Sequence, residues 1–237
     1  MARSVHKWSF PGRFRAVAFG WKASRLACQR LREAVSEIKK VAKKDPQIGA
    51  EGAVRLMEKI WPALGHGDRS SGALGSAVNK TLSDLIPMLD NAPADEKTRN
   101  AWLDRLWQAM ADDGVDYLSP VGDRWGEICG PTEVAGRWAD ELVSTLRSCW
   151  SDPNPGSYFH GATACLSCLL TTGRYGELLD LLELPRAPSW HYRRYGVEAL
   201  LAMGRKAEAV QYADASRGLN QPDSVIDQAC EQILISS

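Results

Sequence analysis

Two stretches of this chain repeat each other at a fixed offset. Leu169-Leu170-Thr171-Thr172-Gly173-Arg174-Tyr175-Gly176-Glu177 returns as Leu200-Leu201-Ala202-Met203-Gly204-Arg205-Lys206-Ala207-Glu208, with 200 − 169 = 31. Upstream, Phe159-His160 matches Trp190-His191 at the same offset. A Leu pair, a Gly-Arg turn and a Glu opening the next apolar run describe a helical hairpin. A period in the low thirties is that of stacked helix pairs of the tetratricopeptide kind, each covering the apolar face of the next. The repeat predicts helices over about 157–172 and 174–184, then 188–203 and 205–217. A last helix over 223–235 reads as a further helix A without its helix B, which leaves an apolar face for a partner or a second copy.

Upstream of the repeats the helical period persists without a repeat. Leu26, Leu31, Val35, Ile38 and Val41 stand three to five apart, and so do Leu74, Val78, Leu82, Leu85 and Leu89. Further helices are expected around Ala50 to Trp61, Trp102 to Met110 and Val134 to Trp150. Asp45-Pro46 punctuates the first pair, because proline is tolerated in a first turn and not in an interior. Ser70 or Ser71 is placed to cap the third helix, Pro62 to help end the second, Pro87 to bend or fray the third and Pro93 to open the fourth. The strongest breaker is Asp152-Pro153-Asn154-Pro155-Gly156. It predicts three parts: a basic flexible arm over 1–22, a helical block over 23–152 and tetratricopeptide-like repeats over 157–237 ending in a half-repeat. The expected fold class is all-α, a right-handed helical-hairpin solenoid behind an irregular N-terminal helical block.

Several phrases carry a resemblance. Ser70-Ser71-Gly72-Ala73-Leu74-Gly75-Ser76-Ala77-Val78-Asn79, Trp102-Leu103-Asp104-Arg105-Leu106-Trp107 and Arg124-Trp125-Gly126-Glu127-Ile128-Cys129 are three of them. Arg137-Trp138-Ala139-Asp140 and the Gly-Arg repeats complete the set. Over about residues 20–237 the chain resembles an uncharacterised bacterial α-helical repeat family whose members continue into further helices. The resemblance implies helical repeats and carries over no activity and no site residue.

Charge is balanced overall but not along the chain. Residues 1–44 hold 12 Lys/Arg against Glu33 and Glu37, a net of +10, and the remaining 17 Lys/Arg and 27 Asp/Glu give −10. Arg3, Lys7, Arg13, Arg15 and Lys22 interleave with Trp8, Phe10, Phe14 and Trp21, a mixture suited to phosphate contacts and base stacking. Arg25, Arg32, Lys39 and Lys43 continue it along a helix, where such a run is ordinarily a solvated face, so nucleic acid is the alternative and not the main expectation. No apolar run approaches the roughly 18–20 residues of a membrane helix. The six Cys, mostly inside helical patterns, read as reduced core thiols of a cytoplasmic protein. A secretory signal would need an uninterrupted apolar region that the N-terminus lacks.

No catalytic constellation emerges, and the chain is expected not to be an enzyme. Cys165-Leu166-Ser167-Cys168 is half a zinc pattern whose second pair is missing. Gly65-His66-Gly67-Asp68 precedes a helix but lacks the Gly-Lys-Ser/Thr ending of a phosphate loop. Asp112, Asp113, Asp116, Asp123 and Glu127 do not fit a calcium loop. No metal and no cofactor is therefore expected. One polar row does recur on the A helices: His191, Arg194 and Glu198, answered by His160, Thr163 and Ser167 one repeat earlier and by Val225, Gln228 and Gln232 later. A protein or peptide partner bound along that row, or along the C-terminal helix, is the functional expectation.

Overall fold

The structure, a computed structural model, describes residues 6–20, 23–65, 67, 72–152, 159–185 and 189–235. Among them it is all-helical, with one 3-10 turn, twelve α-helices and no strand. The helices are α1 (Ser24–Ala42), α2 (Pro46–Leu64), α3 (Ala73–Asp90), α4 (Glu96–Ala111), α5 (Ser119–Asp123) and α6 (Trp125–Cys129). They continue with α7 (Thr132–Ser151), α8 (Ala162–Thr171), α9 (Tyr175–Leu182), α10 (Trp190–Ala202), α11 (Lys206–Asp214) and α12 (Asp223–Ile235). None of them is long and apolar enough to cross a membrane. Two compact units emerge, Met1–Arg124 with Ile128–Gly130, and Trp125–Glu127 with Pro131–Ser237.

In the first unit, capping chemistry sets the helix ends. The Asp45 carboxylate accepts from the Ile48 N–H at 3.0 Å with Pro46 in the first turn, as the Asp-Pro pair predicts. Asp95, not Pro93, caps α4 by accepting from the Thr98 N–H at 2.8 Å. Gly72 precedes α3 with φ 68°, while Ser70 and Ser71 lie outside the described residues. Pro62 and Pro87 both sit inside the last turn of their helices without ending them. The α3 stripe of Leu74, Val78, Leu82, Leu85 and Leu89 is wholly buried, whereas Leu26 of α1 faces solvent and Ala27 packs in its place.

Residues 6–20, the described part of the segment expected as a flexible basic arm over 1–22, are folded onto this unit. Trp8, Phe10, Phe14 and Phe19 are all buried. The Val17 and Phe19 N–H groups donate to the Pro62 and Ala63 carbonyls at 2.8 and 3.3 Å. Those carbonyls belong to the last turn of α2, which has no intrahelical donor for them. Ser9 and Arg13 bind Glu37 and Glu33 of α1, and Gly52 leaves room for the Trp8 ring, which a Cβ would meet at 2.4 Å. Trp8, Phe10 and Phe14, three of the four aromatic residues read as a stacking set, are therefore core, while Trp21 lies outside the described residues. For the three, the hydrophobic term outweighs the charge that made the segment look solvated.

Among the described residues Arg99 is the one strongly buried guanidinium. It donates to the carbonyls of Leu89 at 2.6 Å, Ala92 at 2.7 Å and Ile128 at 3.0 Å. Burial depresses its pKa from the ordinary arginine value. It thereby ties the start of α4 to the ends of α3 and α6, where helix carbonyls lack partners. Alongside it, Arg105 of α4 forks onto Glu51 and Glu58 of α2, and the Trp102 indole N–H donates to Glu51.

The second unit begins earlier than the proline-rich breaker suggests. α7 packs along α8, and Trp125 stands edge-on to Trp138 with ring centres 5.1 Å apart. Residues 153–158 lie outside the described residues, and α8 starts at Ala162. The two Gly-Arg turns are copies of each other. Gly173 (φ 71°) and Gly204 (φ 74°) donate to Leu170 and Leu201, while the Arg174 and Arg205 N–H groups reach back to Leu169 and Leu200. That pair of bonds is the Schellman closure, which places a left-handed residue one past the helix end. Each arginine then folds forward onto the glutamate three residues on, Glu177 and Glu208.

Candidate functional site

α10 and α12 enclose a groove. α10 contributes Trp190, Arg194, Val197, Glu198 and Leu201, and α12 contributes Val225, Gln228, Ala229, Gln232 and Ile233. Both sets follow helical spacing, so one stripe of each helix faces the same space, about 490 Å³ in volume. Trp190, Val197 and Ile233 are buried in its floor, while Glu198, Gln228 and Gln232 are exposed at its edge. α11 holds the two helices together: Ala209 and Ala213 join Ile226 and Ile233 in a core cluster that Val210 and Tyr212 flank. Small residues at 209 and 213 let the flanking helices come close. Gly196 does the same on the other side, where a Cβ would meet the Tyr212 ring at 2.7 Å and Leu182 at 3.0 Å.

Electrostatics position the rim. The Arg194 guanidinium lies over the Tyr195 ring, 4.8 Å from its centre, and its Nε donates to the His191 carbonyl at 2.9 Å. These contacts anchor the guanidinium to its own helix. Arg193, one residue earlier, stacks over Tyr212 at 4.1 Å and donates to the Ser216 hydroxyl. Burial pushes the Tyr212 phenol up to about 12.

The structure brings together only part of the polar row expected from sequence. Arg194, Glu198, Gln228 and Gln232 line one groove. His191 is half-buried against Tyr192 and is not among the lining residues. The earlier set is not a surface row. Thr163 and Ser167 are buried, the Ser167 hydroxyl accepts the Gly126 N–H at 3.0 Å, and a Cβ at Gly126 would meet the Ser167 carbonyl at 2.4 Å. His160 alone of that set is exposed. The physical reason is that Gly126 of α6 packs directly on Ser167, whereas Glu198, 31 residues later, is exposed, so positions related by the sequence offset have different surroundings. Sequence reasoning also missed the floor: Trp190, Val197 and Leu201 stand beside the polar row at i, i+7 and i+11, a helical spacing that could have revealed them.

The remaining motifs resolve as structure. Cys165 and Cys168 are buried, and burial pushes the Cys165 thiol up to about 12. No three of the His, Cys, Asp and Glu side chains among the described residues could hold a metal ion together. Asp113 is buried and accepts the Leu118 and Val115 N–H groups at 2.7 and 3.2 Å, which shapes the loop before α5. On α12 only Ile226 and Ile233 are buried; Val225, Leu234 and Ile235 are exposed. Ile226, on the helix expected to leave an apolar face for a partner, is part of the core. In chemical terms the groove can bind an apolar side chain and satisfy polar groups beside it. No family model, curated protein or solved structure matches the chain.

Proposed function

We propose that the protein is an interaction module that binds a segment of a partner protein in the groove between α10 and α12. The observation that carries this is the alignment of Trp190, Val197 and Leu201 with Val225, Ala229 and Ile233 as an apolar floor beneath Arg194, Glu198, Gln228 and Gln232. An apolar floor with a few polar groups at its rim is the usual make-up of a peptide groove. The stripe from Trp190 to Leu201 is about 17 Å long at 1.5 Å per residue, room for three helical turns or five extended residues. The duplicated Gly173 and Gly204 closures support reading α8–α12 as tetratricopeptide-like hairpins of a solenoid. In such stacks the A helices line the binding face. Leu234 and Ile235, the most exposed aliphatic side chains of α12, favour self-association at the same end as a second mode of contact.

The test is selection of binders from a random peptide library, followed by anisotropy titration of the labelled winners. Gln232→Trp, which fills the groove from an exposed position, and Glu198→Arg should each weaken binding at least about tenfold, a loss of about 1.4 kcal/mol. His160→Ala, outside the groove, should leave it unchanged. Binders indifferent to both groove variants would refute the reading.

A further inference from the structure

A second cleft, of opposite character, lies in the first unit. α1 and α3 run side by side in the same direction. Cys28 Sγ is 3.8 Å from the Ala73 carbonyl, and eleven residues further along both helices Lys39 Nζ is 3.1 Å from Asp84 Oδ1, since 39 − 28 = 84 − 73. The space between them is about 550 Å³. Its floor is small and mostly apolar, made by Cys28, Val35, Ala77 and Thr81. Its rim carries Arg32, Lys39, Lys40, Lys43 and Lys80 with Asp84 as the one carboxylate among the described lining residues, a net of 5 − 1 = +4.

That charge is segregated by the fold. The acidic residues of α1 are turned to the other side, where Glu37 takes the Ser9 N–H and hydroxyl, and Glu33 takes Arg13, Arg30 and Gln29. Asp84 is already bridged by Lys39 and Lys80 at 3.1 and 3.0 Å. It shows that the two rims converge on a carboxylate. Among the described residues no ion pair neutralises Arg32, Lys40 or Lys43. From Cys28 to Lys43 the rim extends about 22 Å, the length of a helix of four turns.

We propose that this cleft docks an acidic amphipathic helix of a partner protein, with aliphatic side chains on the floor and carboxylates against the lysine rim. Charge complementarity selects the acidic partner, and the apolar floor selects a peptide over a nucleic acid. A single strand bound without sequence preference uses aromatic platforms, and the described lining has none. A duplex presents a convex wall that does not reach a floor between helices packed about 8–10 Å apart. The site is independent of the α10–α12 groove.

The experiment is fluorescence anisotropy on the full chain with three labelled probes. They are a 16-residue Glu/Leu/Ala helix with Leu at i, i+3, i+4 and i+7, its Glu→Gln counterpart, and a 16-nucleotide oligothymidylate. The acidic peptide should bind, weaken steeply with added salt, and bind at least about tenfold more tightly than the Gln peptide. Lys40→Glu/Lys43→Glu and Ser36→Trp, the latter obstructing the floor from an exposed position, should each reduce its affinity about tenfold or more. Lys7→Glu/Lys97→Glu, the same change of net charge elsewhere, should reduce it less than about twofold. Circular dichroism confirms that each variant is folded. The proposal is overturned if the acidic peptide does not bind, if the two peptides bind equally, or if Ser36→Trp has no effect. Oligothymidylate binding more tightly than the peptide, and lost in Lys40→Glu/Lys43→Glu, would overturn it in favour of nucleic acid.

Discussion

Two glycines three residues apart should respond with opposite sign to the same substitution. Gly173 closes α8 at φ 71°, and the nearest atom to a Cβ placed there is 4.0 Å away on Tyr175. Gly176, in the first turn of α9, has no atom within 4 Å of its Cβ position and no left-handed backbone. Neither substitution to alanine therefore creates a clash, and only backbone conformation differs. At Gly173 an alanine must enter the left-handed region, at a cost of roughly 1–2 kcal/mol. The reduced freedom of the unfolded chain returns about 0.4–1 kcal/mol, for a net loss near 1 kcal/mol. At Gly176 the unfolded-state gain, which also underlies the helix preference for Ala over Gly, meets no opposing strain, so stability rises by about 0.5–1 kcal/mol. The two variants should differ by about 2 kcal/mol, which is about 1 M in urea midpoint for a slope near 2 kcal/mol/M. Gly204→Ala, at φ 74° with open space around its Cβ, should match Gly173→Ala. Asn at either position should recover part of the loss, since it visits the left-handed region more readily. Gly173→Ala as stable as the parent, or Gly176→Ala less stable, would refute the reasoning.

Other expectations follow from the packing. Arg99→Met removes three charge-assisted bonds to buried carbonyls and should cost about 3–5 kcal/mol, read as a fall in urea midpoint with faster amide exchange at the end of α3. Phe14→Ala, or removal of residues 1–22, should destabilise the first unit by about 3–5 kcal/mol, measured by thermal melting; an unchanged melt would mean that the segment is not core. Cys165 holds its proton to about 12 in the fold, against an ordinary value of 9.0 when unfolded. Its contribution is complete below pH 9 and is lost as pH rises through that window, at about 1.4 kcal/mol per unit. Urea midpoints at pH 8, 9.5 and 10.5 should therefore fall, and Cys165→Ala should flatten the decline.

Some of this protein is written locally. Asp45-Pro46 starts α2 by local chemistry, because the carboxylate and the ring act on the three residues that follow. The Gly-Arg turns needed only their own six residues to close α8 and α10, so a 31-residue repeat in sequence became a repeat in backbone geometry. The α3 stripe likewise predicted its own burial from spacing alone. What sequence could not decide is which face each element meets. Trp8, Phe10, Phe14 and Phe19 have no period, and they become core because their segment packs on α1 and α2, where the unpaired carbonyls ending α2 and the gap left by Gly52 receive it. Ser167 and Glu198 occupy equivalent repeat positions, yet one is buried beside Gly126 and the other rims a groove. Pro62 and Pro87 each remove a backbone donor near a helix end, and α2 and α3 run on only to Leu64 and Asp90. Backbone closures depend on neighbours within a few residues, and the chain itself supplies those. Burial depends on a second surface arriving from elsewhere in the chain, and that is decided only when the helices pack.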